Sequence, residues 1–245
     1  MIEAVTIQNF KSLEDVELLL SKFNCLVGMN GAGKSTILQA LDLLAQLMHG
    51  NVDQWLAARG WESKDLRCRT SHSPRLTTLM VGLSLEDDRC LSWNAILNRY
   101  TMRVVSEAVH IQDEEIFRVS GSRFKLLGQQ HEITQDYTGS LLASLKDALL
   151  PPELKTLRDT IRNIRSLELL SPHLLRKRSR AQDKDIGAGG EKLSGFLATL
   201  KGEQKAHLLA VLCQFYPQLR GRCCASFTPN CAISGWRMSE AAGSA

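Results

Sequence analysis

The chain has 245 residues, 44% of them hydrophobic and 23% charged, with a formal net charge of +4. This size and balance fit one large α/β domain, or one domain with an inserted lobe. The mild basicity is compatible with nucleic acid without arguing for it. No run of 18 apolar residues exists to build a transmembrane helix. The start MIEAVTIQNF, with Glu3 early, does not read as a signal peptide. Seven Cys are present, an odd number, and Cys25, Cys68, Cys90 and Cys213 are scattered singly. They read as reduced thiols in a cytoplasmic protein. Cys223, Cys224 and Cys231 crowd near the end at a spacing that matches no zinc site.

In chain order, Ile2, Ala4 and Thr6 alternate with Glu3, Val5 and Ile7, which predicts a strand. Asn9-Phe10-Lys11-Ser12 marks a turn, and Val16 to Leu20 predicts a second strand. The wholly apolar run Phe23 to Val27 suits a buried parallel strand leading into a glycine-rich loop. Ile37, Leu38, Leu41, Leu44, Ala45 and Met48 then recur at helical spacing as far as Gly50. Residues 51–75 read as polar and irregular. Leu76 to Leu85 predicts a strand with a turn at 86–88. The segments near 90–97, 102–111 and 115–127 add short strands, which together suggest an antiparallel β lobe over 76–135 inserted in the domain. Helices are expected at Leu141 to Leu150 and Leu154 to Ile164, and a strand at Ser166 to Leu170. The charged stretch 176–187 reads either as a solvated, mobile loop or as a phosphate or DNA contact patch. Leu193 to Leu200 and Lys205 to Phe215 predict two more helices. Residues 220–245 show no period of either kind.

The glycine-rich loop carries the chemistry. Gly28, Gly33, Lys34 and Ser35 satisfy G-x-x-x-x-G-K-[S/T] between a predicted strand and a predicted helix, the context a P-loop requires. Glycines let the backbone curl so that successive N–H groups face phosphate oxygens. The helix that follows adds the positive end of its dipole. Lys34 would neutralise β- and γ-phosphate charge, Ser35 would be a Mg²⁺ ligand, and Thr36 a further hydrogen bonder. Asn30, Gly31 and Ala32 fill the loop. Mg-ATP is the expected ligand.

Residues 1–48, with IQNFKS before the second strand and VGMNGAGKST after it, resemble the N-terminal lobe of ABC-type ATPases of the SMC, RecF and OLD kind. The resemblance implies an α/β P-loop NTPase fold over residues 1–219: a P-loop lobe at 1–50, the β-rich insertion, and a helical region at 141–215. It also implies that Lys11 and Ser12 help to hold the nucleotide. LELLSPHLLRKRS and DIGAGGEKLSGFLATL look like the middle of prokaryotic OLD-like AAA-family ATPases, the group that includes the Septu anti-phage system. Implied partners are a second copy of the chain across the nucleotide, DNA, and a nuclease, in DNA repair or anti-phage defence.

Hydrolysis in this class needs a strand ending in Asp-Glu, one acid to help hold Mg²⁺ and one to polarise water. The last Asp is Asp185, and the later acids Glu191, Glu203 and Glu240 follow no apolar strand run. Two stretches imitate missing parts. The run Leu79 to Asp88 ends in acids but comes too early for the family, and Asp87 and Asp88 read as a hairpin turn. Ala188-Gly189-Gly190-Glu191-Lys192 resembles the Ser-Gly-Gly-Glu signature loop, the alternative being a glycine-rich entry into the next helix. The expectation is a chain truncated before the Asp-Glu strand, with 220–245 a frameshifted or replaced tail. It would bind ATP and hydrolyse it poorly, and no catalytic residue is assigned. The alternative is a non-catalytic remnant or regulatory binding module. A transporter nucleotide-binding subunit fits the IQNFKS start less well.

Overall fold

The computed structural model describes residues 1–70, 75–85, 87, 89–167, 172–180, 185–187 and 189–216. Two compact units divide after Ser166.

The first unit is built on one eight-stranded antiparallel sheet. Its strands are β1 (Ile2–Phe10), β2 (Leu13–Leu19), β3 (Leu76–Ser84), β4 (Cys90–Asn98), β5 (Arg103–Ile111), β6 (Glu114–Ser120), β7 (Arg123–Leu126) and β8 (Gln129–Glu132), in the order β2-β1-β3-β4-β5-β6-β7-β8. The strands expected as a separate inserted lobe therefore continue the sheet begun by β1 and β2, because β3 pairs directly with β1. Their alternation is what the register needs. Val5 lies opposite Val81, Val81 opposite Trp93, Trp93 opposite Val109, and Val109 opposite Phe117. One buried row thus crosses five strands, and the intervening residues face away.

Helix α1 (Lys34–His49) buries Ala40, Leu43, Leu44, Leu47 and Met48 in the core that this sheet face also lines. Each of these leucine and methionine side chains contributes roughly 1.5–3 kcal/mol. Gly50, left-handed at φ 70°, ends the helix as its sequence position predicts. The stretch expected to be irregular instead forms α2 (Val52–Arg59), ended by left-handed Gly60, and a 3-10 turn at Ser63–Leu66. Residues 71–74 lie outside the described part. The predicted helix at 141–150 is shorter, α3 (Leu141–Ser144) and a 3-10 turn at Asp147–Leu149. Next comes α4 (Pro152–Arg162), which buries Leu154, Leu157 and Ile161.

The junction of β5 with α3 holds a buried acid. Glu107 accepts from Trp93 Nε1 at 2.7 Å, from the Ser140 hydroxyl and from the Leu141 N–H at 3.1 Å. Burial pushes its carboxyl above the ordinary value, against those three bonds. Gly139 precedes Ser140 at φ 71°, and a Cβ there would lie 2.5 Å from the Leu47 carbonyl of α1. Only glycine lets the chain pass so close.

One strand expectation fails. Residues 23–28 form no strand. Phe23 is 82% exposed, Val27 89% and Met29 85%. A buried parallel strand needs a neighbour on each side, and no described strand pairs with this run. The described fold is thus an antiparallel sheet with helices, and the parallel layer of an α/β domain is not among the described residues.

In the second unit, the described helices are α5 (Pro172–Leu175), α6 (Leu193–Thr199) and α7 (Gly202–Phe215). The last two match their sequence patterns. Most of the strand expected at 166–170, and the Cys-rich tail, lie outside the described residues. No described helix is long and apolar enough to cross a membrane.

Candidate phosphate-binding site

The loop turns tightly at 29–32, where the Ala32 N–H donates to the Met29 carbonyl at 3.2 Å. Gly31 and Gly33 take φ of 84° and 88°. A side chain at either would cost roughly 1–2 kcal/mol in that left-handed region. Gly28 stands against Ala32, a Cβ on it lying 3.5 Å from the Ala32 methyl, an ordinary contact. Gly33 is the N-cap of α1, no side chain caps the helix, and no acid stands in its first turn. The helix therefore presents its positive end and its first N–H groups at the loop.

Lys34 reaches back over that loop. Its Nζ donates to the Gly28 carbonyl at 2.7 Å and the Met29 carbonyl at 2.8 Å. Asn30, exposed, sits at the turn, and Ser35 is exposed on the first turn of α1. Thr36 is committed elsewhere: its Oγ1 accepts from Ser12 Oγ at 3.1 Å. Ser12 also packs on Gly33, its Oγ 3.5 Å from where a Cβ would stand. The structure thus brings the β1–β2 turn against the start of α1.

Lys11 is held by side chains that sequence reasoning did not single out. Its Nζ donates to Gln39 Oε1 at 3.0 Å and stands 3.1 Å from the centre of the Trp61 ring. Trp61 meets Trp55 edge-on, with ring centres 5.4 Å apart at 88°. Arg59 lies against both rings. Asp42 of α1 accepts from Trp55 Nε1 at 2.6 Å and from Arg59 at 2.7 Å. Thr36, Gln39 and Asp42, three residues apart, thus form a polar stripe on α1 that ties in the turn and α2. A usable signal existed: two of the four Trp fall within seven residues of a stretch that otherwise reads as loop, and buried aromatics dominate packing.

Other expected sites are elsewhere. Asp87 stands in a turn after β3, and its carboxylate accepts from Arg89 at 2.6 Å. That bond holds its pKa below the ordinary value. Glu86 and Asp88 lie outside the described residues. A cavity of about 630 Å³ opens near Met1 and Arg89, but Arg89 is already paired with Asp87 and Glu153. In the signature-like segment, Gly187 and Gly190 are left-handed, and Glu191 folds back to accept from the Gly189 N–H at 3.0 Å. Ala188 is not described. The basic run is anchored: Ser194 Oγ donates to the Lys177 carbonyl and accepts from the Ser179 N–H, and Ser179 Oγ accepts from the Gly195 N–H. Arg176, Lys177, Arg178 and Arg180 are exposed along it. Among the described residues no cluster of His, Cys, Asp and Glu could hold a metal ion.

The loop, the helix behind it and the turn bound to it are the parts of a P-loop ATPase, and comparison gives the family. The model of the AAA ATPase domain matches residues 1–145. The chain belongs to that family. The OLD nuclease of Thermus scotoductus (strain ATCC 700910 / SA-01) is 48% identical over 44 residues, 18% of this chain and 8% of the relative's length. A solved structure from work on the structural biochemistry of ATP-driven dimerization and DNA stimulated activation of SMC ATPases matches 46% of this chain and 70% of its own, at 21% identity and a TM-score of 0.34.

Proposed function

We propose that the chain binds Mg-ATP at residues 28–36. The observation that carries this is the Lys34 ammonium, held across the loop by two carbonyls while the uncapped start of α1 stands behind it. Those carbonyls are weak competitors for a phosphate, which brings full charge to the same ammonium. The donor set fits the nucleotide: left-handed glycines, helix N–H groups and one ammonium, with no acid to repel an anion. Gly28, Asn30, Gly31, Ala32 and Gly33 shape the cradle, and Lys34 takes the terminal phosphates. With Thr36 bonded to Ser12, Ser35 is the hydroxyl that would hold Mg²⁺, which supplies charge neutralisation when bound. Lys11 and Ser12 complete one wall. No residue is assigned to activating water.

The wider reading rests on the family resemblance and on the basic run. Exposed Arg176, Lys177, Arg178 and Arg180, on a segment fixed by Ser179 and Ser194, supply the charge that a DNA backbone would meet. A second copy closing on the nucleotide, and a nuclease acting with it in repair or defence, follow from the likeness to OLD-type proteins. DNA affinity that falls steeply with salt would support the contact, and salt-independent binding would remove it.

The test is thermal. A ligand at 100 times its dissociation constant stabilises by about 2.7 kcal/mol, so millimolar Mg-ATP should raise the melting temperature if the constant is on the order of 10 μM. No rise, or an equal rise in Lys34→Ala, would sink the proposal. Turnover that disappears with Lys34→Ala would add hydrolysis to binding, and binding without turnover would favour a regulatory module.

A further inference from the structure

The Lys11 ammonium is fixed by groups that belong to no phosphate motif. Trp61 offers its ring face at 3.1 Å and Gln39 its amide oxygen at 3.0 Å. The backbone is fixed as well: the Lys11 N–H donates to the Leu66 carbonyl at 3.0 Å. The residue sits at φ 51°, a left-handed conformation uncommon for a lysine. Such a conformation persists only where its surroundings over-determine it. Those surroundings start from the phosphate helix itself. Asp42 of α1 holds Trp55 and Arg59, these flank Trp61, and Trp61 holds Lys11. The next residue, Ser12, returns to α1 through Thr36.

We infer that Trp61 is a positioning residue for the nucleotide site, its ring fixing the Lys11 ammonium against Gln39 of α1, the helix that follows the loop, so that the charge is in place before a phosphate arrives. The inference rests on the reading that residues 28–36 hold Mg-ATP. An indole face attracts an ammonium more strongly than any other aromatic side chain. A free lysine gives up much rotamer freedom when it engages a ligand, and one already held gives up less. Trp61 itself touches no nucleotide in this account and acts through Lys11 alone.

That last condition supplies the test, a double-mutant cycle read by Mg-ATP titration. Trp61→Leu keeps an apolar side chain and removes the quadrupole, so it should weaken Mg-ATP binding about fivefold. Trp61→Phe keeps a weaker ring face and should cost about twofold. In a Lys11→Met background neither change should weaken binding further. A ring that merely supports the fold would cost the same in both backgrounds, and that result would overturn the inference. If Trp61→Leu does not fold, the same cycle with Trp61→Phe decides, its small loss having to vanish without Lys11. Binding that is abolished by Lys34→Ala yet unmoved by either Trp61 change would refute the positioning role and leave the ATP reading standing. A wild-type chain that binds no Mg-ATP would end both.

Discussion

Two buried acids in the first unit each accept a hydrogen bond from an indole, and they are solved in opposite ways. Asp42 accepts from Trp55 Nε1 and is ion-paired with Arg59. Glu107 accepts from Trp93 Nε1, a serine hydroxyl and a backbone N–H, with no cation among these partners. The first lies on α1 and organises cations around it. The second lies in the sheet, where burial favours its neutral form, and stitches β4 and β5 to α3. Charge is thus spent where an anionic ligand is proposed, and neutral hydrogen bonding where only the scaffold is held.

The contrast breaks most visibly at Glu107. Glu107→Ala removes the acceptor from three buried donors and should cost about 3–4 kcal/mol in urea unfolding. Glu107→Gln keeps an acceptor for Trp93 and Ser140 and should cost about 1 kcal/mol, with Mg-ATP affinity unchanged. Equal losses for the two changes would mean that the hydrogen bonds are not what matters there.

Asp42→Ala should cost less stability, about 2–3 kcal/mol, because Arg59 keeps some access to water. Unlike the Glu107→Gln change, it should also weaken Mg-ATP binding, since Trp61 and Lys11 lose their support. Stability lost with affinity intact would separate this cluster from the site.

The smallest effect is in pH. A carboxyl whose folded pKa lies above its unfolded value binds its proton more tightly when folded. Its contribution is complete below the unfolded value of about 4.3 and is lost as pH rises through the folded value. The stability of the wild type relative to Glu107→Gln should therefore decline with rising pH above that point, by at most about 1.4 kcal/mol per pH unit. A difference that stays flat from pH 4 to 8 would contradict a carboxyl pKa raised by burial.

Local signals carried much of this structure. The period of Ile37 to Met48 and the glycine at 50 define α1, and alternation defines the strands of the sheet. The tight glycine turn was legible because its glycines act within a few residues of one another. What the sequence hid is long-range. The joining of β3 to β1 pairs residues some 70 positions apart. Trp61 reaches Lys11 across 50 residues, and no local pattern announces it. Helix α2 lacks an amphipathic period, so nothing in its pattern set it apart from the irregular stretch expected there. The run Phe23 to Val27 misled for the opposite reason: its composition suits a buried strand, but burial depends on neighbours that the described residues do not supply.

The central claim is that Lys34 and the loop around it bind a nucleotide phosphate. Isothermal titration of Mg-ATP into the full chain and into Lys34→Ala tests it most directly. The account predicts saturable binding by the wild-type chain and its loss in Lys34→Ala, with the fold of the variant intact by circular dichroism. Equal binding by both, or none by either, would contradict it.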